Sequence, residues 1–259
     1  MFAELSAISL GLLLLALFFS GFIDAIAGGG GLVQSPALLL TFPNENPVSV
    51  VGTSKTAAFF GTTTAALKYR KSIKTDPKLL LAMVIPAFIG ACGGALLASH
   101  ISQDAFRKAI FFMMIAIFIY TWAKPELGKN QLDKHEPKKL ACIGAAAAFV
   151  IGFYDGLIGP GTGTMLMIFL VAVMGFAFVG ASAIAKVVNA TTNLASIIVV
   201  GLRLGIMWKL ALVLGIANLA GGYLGSHLAI RKGSGFIRIF YLCVTALLIM
   251  RLGYSIYLE

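Results

Sequence analysis

The sequence predicts an all-α polytopic integral membrane protein: two inverted-topology repeats with about eight to ten transmembrane segments, some short or re-entrant. Three observations lead there. Of 259 residues, 59% are apolar and only 12% are charged, about half the charged share of a soluble globular chain. Several apolar runs reach about 18 residues, the length that spans hydrocarbon, and mean hydropathy is +0.95. Finally, the chain resembles itself at a fixed offset, which indicates a duplicated unit.

A shift of 131 residues superimposes the two halves without a gap from Gly21 to Arg107. Gly21-Phe22-Ile23-Asp24 falls on Gly152-Phe153-Tyr154-Asp155, and Gly28 and Gly30 fall on Gly159 and Gly161. Lys55 meets Lys186, Lys78-Leu79 meets Lys209-Leu210, Gly90 and Gly94 meet Gly221 and Gly225, and Arg107 meets Arg238. Coinciding leucines would be unremarkable in so apolar a chain, but coinciding aspartates, lysines and arginines are not. The apolar segments of the first half run over 5–27, 31–42, 48–67, 79–98 and 105–123, and their counterparts over 140–158, 162–177, 179–201, 208–228 and 236–257. Five segments per half is an odd number, so the second half enters the membrane upside down. The chain thus divides into a first transmembrane repeat (1–123), a cytoplasmic linker (124–139) and a second, inverted repeat (140–259).

In chain order, the first segment reads as a retained helix. Glu4 is the only charge before it, where a signal peptide would carry a basic n-region. The second segment, 31–42, gives only ~18 Å of helix and its partner, 162–177, ~24 Å, against ~30 Å of hydrocarbon. Both are therefore expected to pair with the preceding segment as hairpins turning at glycines inside the protein, where irregular backbone is tolerated. Gly90 with Gly94 and Gly221 with Gly225 form GxxxG pairs for close helix packing, and Pro86 is expected to kink its helix. Tyr120, Trp122, Tyr254 and Tyr257 lie at segment ends as interfacial anchors, and His227 reads as an interface residue.

The net charge of +10 would suggest nucleic acid in a soluble protein, but most basic residues lie in short loops between apolar runs. The stretches 68–78, 124–139 and 229–235 hold Lys68, Arg70, Lys71, Lys74 and Lys78, then Lys124, Lys129, Lys134, Lys138 and Lys139, then Arg231 and Lys232. The connection at 43–47 has none. By the positive-inside rule those three loops are cytoplasmic and both termini lie outside. Cys92, Cys142 and Cys243, like His100, His135 and His227, are scattered, so no metal site, disulfide or cofactor is signalled.

Three constellations could carry chemistry. Asp24 precedes Gly28-Gly29-Gly30-Gly31, and Asp155 precedes Gly159-Pro160-Gly161-Thr162-Gly163-Thr164. Glycines allow tight turns and close ligand approach, and the following helix N-terminus favours an anion. Thr162 and Thr164 add hydroxyls, either able to cap the helix. The competing reading is a packing turn whose aspartates satisfy local amides. Lys55 and Lys186 form the second constellation, each ~10–12 Å deep in its segment. An ammonium there costs ~2.5–3.5 kcal/mol without a partner or a wet cavity. Ser182, Asn189 and Asn193 share the helical face of Lys186, and Thr62, with Thr56 and Thr63 nearby, gives Lys55 a thinner version. Anion coordination competes here with snorkelling and with static ion pairs to Asp24 and Asp155. The GxxxG pairs are the third constellation, read as packing.

These motifs resemble a known family. Phe22-Ile23-Asp24-Ala25-Ile26-Ala27-Gly28-Gly29-Gly30-Gly31, Gly52-Thr53-Ser54-Lys55 and Gly152-Phe153-Tyr154-Asp155-Gly156 with Gly159-Pro160-Gly161-Thr162-Gly163 look like the TauE/SafE sulfite exporter family, and the stretch from Lys186 through Asn189 and Asn193 to Ser196 is similar to its second-half pattern. The resemblance implies a bacterial inner-membrane carrier of sulfite, sulfonates or related organosulfur anions. The sequence is thus read as a secondary anion transporter, an exporter and not an enzyme. With no Walker A motif, the proton-motive force is the expected driver. Asp24 and Asp155 are the proton-coupling candidates. Lys55, Lys186, Asn189, Asn193, Thr162, Gly28, Gly30, Gly159 and Gly161 are the substrate-binding candidates. The partners are then a small anionic substrate and the lipid bilayer, with no nucleic acid. A passive anion channel, or a carrier of another small organic anion, uses the same residues.

Overall fold

The computed structural model describes residues 6–42, 44–98, 115, 119, 122–123 and 136–257. Within them lie eight helices: α1 Ala7–Ala27, α2 Gly31–Thr41, α3 Pro47–Ser72, α4 Pro77–Leu97, α5 Pro137–Leu157, α6 Thr162–Ala172, α7 Phe178–Arg203 and α8 Trp208–Tyr257. Local chemistry sets several starts. Ser6 caps α1 by accepting the Ser9 amide, and Asn46 and Asp76 cap α3 and α4, each followed by a proline at the first helical position. Most of the expected segment 105–123, most of the linker 124–139 and the anchor Tyr120 lie outside the described residues.

Helix starts obey the offset read from the sequence: α2 and α6 begin at 31 and 162, α3 and α7 at 47 and 178, α4 and α8 at 77 and 208. Packing obeys it too, in exchanged form. α1 of the first half packs on α8 of the second, and α4 of the first packs on α5 of the second. A side chain on Gly221 or Gly225 of α8 would strike the backbone of Phe18 or Phe22, and one on Gly90 or Gly94 of α4 the backbone of Phe149 or Phe153. Each of these contacts maps onto its counterpart 131 residues away. The GxxxG pairs therefore bring crossed helices to backbone contact, as read.

Five described helices are long and apolar enough to cross a membrane: Ala7–Ala27, Pro77–Leu97, Lys138–Leu157, Phe178–Arg203 and Trp208–Val244. Their outer faces carry apolar stripes, such as Ile8, Leu12, Leu15 and Phe19 on α1 and Leu81, Ile85 and Ile89 on α4, each more than half exposed. Water would oppose such a surface and lipid favours it. The protein is a multi-pass membrane protein. α2 and α6 have 11 residues each, or ~16 Å, too short to cross alone. α1 and α2 form a hairpin that turns at the buried Gly28 (φ 81°), where the Ser20 hydroxyl of α1 reaches both Gly30 and Gln34 of the returning chain.

Three boundaries differ from the sequence reading. The segment expected at 162–177 stops as a helix at Ala172, because Gly175 takes a left-handed conformation (φ 83°) and Phe176 donates back to the Leu170 carbonyl. The basic stretches 68–78 and 229–235 are largely helical, not loops: α3 runs on to Ser72, and α8 continues through Arg231 and Lys232. Only Gly233 (φ 75°, ψ −171°) breaks α8. Lysine and arginine are good helix formers, so polarity alone does not end a helix.

Candidate functional site

α3 and α7 pack against each other, and each carries one buried lysine in its N-terminal half. Lys55 and Lys186 are 5% and 1% exposed. Each pairs with the aspartate of the opposite half. Lys55 Nζ lies 3.0 Å from Asp155 Oδ2, and Lys186 Nζ lies 3.0 Å from Asp24 Oδ2. Of the readings left open for the lysines, cross-half ion pairing is what the structure contains. The aspartates do not satisfy local amides; they hold the two halves together.

A small cavity of about 30 Å³ opens beside the pairs. Asp24, Asp155 and Lys55 line it, together with Gly28, Gly159, Gly161, Thr162, Asn189 and Asn193 among the sequence candidates. Lys186 and Gly30 do not line it. Lys186 stands behind Asp24, and a side chain on Gly30 would strike Ser20 and Asp24, so Gly30 is a packing residue of the hairpin. Ser182, placed on the face of Lys186, bonds to the Phe178 carbonyl and Met167 instead of joining the site.

The hydroxyls do not cap α6. Thr162 donates toward Asp155 Oδ1 (2.7 Å) and the Gly159 carbonyl (2.7 Å), and Thr164 toward the Ala27 carbonyl (3.3 Å). The two glycine turns touch directly, since the Thr164 amide donates to the Gly28 carbonyl at 3.1 Å. Glycine is needed there because a Cβ on Gly28 or Gly163 would enter the other turn's backbone. The amides of Thr162, Thr164 and Met165 at the start of α6 are all bonded to carbonyls. The helix end therefore contributes its dipole more than its free donors.

Asn189 and Asn193 behave differently. They lie one turn apart on α7, are 7% and 5% exposed, and line the cavity. Neither carboxamide makes a hydrogen bond to the described residues, yet neither is sealed from the cavity. Two buried amides that lack protein partners and face an open space are groups that a ligand can satisfy. Across from them is a cluster the sequence reading missed. Gln34 Oε1 accepts from Ser20 (2.8 Å) and from Asn218 (3.1 Å), while Gln34 Nε2 donates to the Ser54 carbonyl. Ser20, Gln34 and Asn218 all line the cavity. Their counterparts at the 131-residue offset are Ile151, Met165 and Ala87. The break in the repeat at three polar positions was a legible signal.

The chain was compared with known proteins. The family model described as Sulfite exporter TauE/SafE matches residues 13–252. "Probable membrane transporter protein ORF9" of Sinorhizobium sp is 34% identical over 94% of this chain and 92% of its own length. A "Probable membrane transporter protein" of Haemophilus influenzae is 34% identical over 92% of each chain. "Probable membrane transporter protein YfcA" of Escherichia coli (strain K12) is 32% identical over 96% and 91%. No solved structure matches.

Proposed function

Because the chain belongs to the Sulfite exporter TauE/SafE family of membrane transporters, we propose that it exports sulfite, a sulfonate or a related small organosulfur anion across the bacterial inner membrane, with transport coupled to proton movement. The observation that carries this reading is the pair of carboxamides, Asn189 and Asn193, that have no hydrogen-bond partner among the described residues and line one small cavity with the buried Lys55, while Lys186 stands behind Asp24. A tetrahedral or pyramidal oxyanion presents several acceptors to such amides, and the lysines supply positive potential at membrane depth. Thr162 adds a hydroxyl, the bare backbone at Gly28, Gly159 and Gly161 leaves room, and Asp24 and Asp155 offer proton-accepting carboxylates. The exchanged packing of the two repeats supports rocking of one half against the other.

The reading is tested by loading proteoliposomes of the purified protein with sulfite, sulfate, thiosulfate, sulfonates and carboxylates in turn. Saturable flux of an organosulfur anion that responds to a pH gradient is the expected result. Asn189→Leu with Asn193→Leu keeps the helix but removes four hydrogen-bonding functions, so the apparent affinity should fall at least about tenfold, the equivalent of one lost hydrogen bond to a charge. An unchanged affinity in the double variant would remove the carboxamides from the site.

Orientation follows from the basic residues of 68–78 and 124–139, which place both termini outside. In a cysteine-free background, an impermeant thiol reagent applied to intact cells is expected to label Asn44→Cys and spare Ser72→Cys. Labelling of the second alone would invert the topology.

A further inference from the structure

The repeat is kept at the four charges and broken at the groups around them. Lys55 donates to the Asp155 carbonyl, to Asp155 Oδ2 (3.0 Å) and to Ser196 Oγ (3.0 Å). All three ammonium hydrogens are thereby engaged. Both Asp155 oxygens are engaged too, Oδ1 by Thr162 and Oδ2 by Lys55, and its side chain is 3% exposed. The Lys186–Asp24 pair lacks these satellites. The counterpart of Ser196 is Ala65, and the counterpart of Thr162 is Gly31. Lys186 makes one hydrogen bond among the described residues, to Asp24 Oδ2, which also accepts from Thr62 at 3.3 Å. Asp24 Oδ1 accepts none, and the Asp24 side chain, 13% exposed, faces the cavity.

We propose that the two ion pairs have different duties: Lys55–Asp155 is a closed latch between the halves, and Asp24 is the carboxylate that exchanges a proton with the cavity, so that each substrate monoanion crosses with one proton. This rests on the anion-carrier reading above and assigns the coupling within it: proton and anion move together without net charge, so export runs down the anion's own outward gradient and an inward proton gradient opposes it. Among the described residues, the cavity lining contains no charged side chain besides Asp24, Asp155 and Lys55, with Lys186 behind. With all four ionised the fixed charge is zero, and an entering monoanion would be uncompensated at membrane depth. A proton taken from the cavity by Asp24 Oδ1 neutralises that carboxylate and leaves the charge of Lys186 uncancelled. The monoanion then restores neutrality. On release of both, Asp24 and Lys186 re-form their pair.

The surroundings of Asp24 favour this assignment over Asp155. α7 presents Lys186 to it, and α3 presents Thr62 and, lining the same cavity, Lys55. Tyr69 of α3 donates its hydroxyl to the neighbouring Ala25 carbonyl. α5 contributes Asp155 from within its own pair, and α2, α6 and α8 present only the neutral Gln34, Ser35, Thr162 and Asn218. Proton uptake at Asp155 would instead have to break a bond to Lys55 or Thr162 first.

Methanesulfonate is the probe, because it remains a monoanion throughout the working pH range and any proton that moves is carried by the protein. Proteoliposomes with an entrapped pH dye and a potassium–valinomycin potential report proton and charge movement together. The wild type should move about one proton per anion, with flux insensitive to potential. Asp24→Asn, fixed in the neutral form, should move the anion without a proton and become sensitive to potential. If Asp24→Asn does not fold, Asp24→Asn with Lys186→Met is measured in its place; with no uncancelled ammonium to meet the anion it should carry no flux, and proton-coupled flux in it overturns the assignment. Infrared spectra over a pH titration give a substrate-independent readout: the carbonyl band of a protonated carboxyl should vanish in Asp24→Asn and persist in Asp155→Asn. Coupling retained in Asp24→Asn, or a band lost only in Asp155→Asn, overturns the assignment. Absence of any anion flux in the wild type overturns the anion-carrier reading and the one-to-one ratio with it, while the infrared band still decides whether Asp24 is the protonated group.

Discussion

Lys55→Met should be the most damaging single side-chain change in the cavity. It removes one member of a pair whose other member, Asp155, has a side chain only 3% exposed, leaving the carboxylate with the Thr162 hydroxyl alone. Removing one partner of a buried pair costs about 3–5 kcal/mol, because the stranded charge can neither reach water nor find a new partner. Ser196 loses its donor in the same step. The expected result is a marked fall in melting temperature in detergent and flux at background, since the cavity now carries a net negative charge toward an anion. Adding Asp155→Asn removes the stranded charge and keeps an acceptor for Thr162, so most of the stability should return. Return of flux with it would match a latch, and a folded but inactive double variant would place Lys55 on the anion itself. Wild-type stability in Lys55→Met would show that the pair does not bind the halves together.

The four charges and the glycine turns were legible because a fixed offset of 131 residues singles them out from a background of interchangeable apolar residues. Their partners were not. Whether Asp24 meets Lys55 or Lys186 depends on α1 leaving its own half to pack on α8, and helical periodicity carries no information about that exchange. The short helix α6 illustrates the opposite failure. Hydropathy runs on through Phe176, so a composition window extends the segment past the turn at Gly175, whose left-handed φ decides where the helix ends. Ser20, Gln34 and Asn218 escaped for a third reason. A lone polar residue on a membrane helix is ordinarily taken as tolerated, and only the three-dimensional meeting of α1, α2 and α8 turns them into one hydrogen-bonded cluster. Their apolar counterparts, Ile151, Met165 and Ala87, mark the asymmetry, which becomes readable once departures from the repeat are weighed as heavily as agreements.

The glycine turns should separate folding from function, and they divide differently from the sequence reading, in which Gly30 and Gly161 both let a ligand approach. Gly163→Ala should prevent assembly: its Cβ would stand 2.6 Å from the Gly28 carbonyl oxygen and 2.8 Å from the Gly28 Cα, and neither is the movable end of a side chain. Separating the two turns would break the bond from the Thr164 amide to the Gly28 carbonyl and open the contact on which the cavity is built. Overpacking of a backbone crossing typically costs about 1–3 kcal/mol and occasionally more, and here the upper end applies because both sides are backbone. Gly30→Val belongs with it, as its Cβ would meet the Ser20 carbonyl and the Asp24 Cβ. Gly161→Ala is the contrasting case. Its Cβ would meet nothing nearer than Leu32 Cδ1 at 3.6 Å, but its φ of +91° is one that L residues rarely adopt, a strain of about 1–2 kcal/mol. That variant should remain folded with a modestly lower melting temperature while its added methyl, on the cavity wall, lowers the apparent affinity for the anion. Size-exclusion profiles and melting curves of the three variants, followed by flux for those that fold, give the comparison. A well-folded Gly163→Ala protein with wild-type flux would mean that the two turns do not meet.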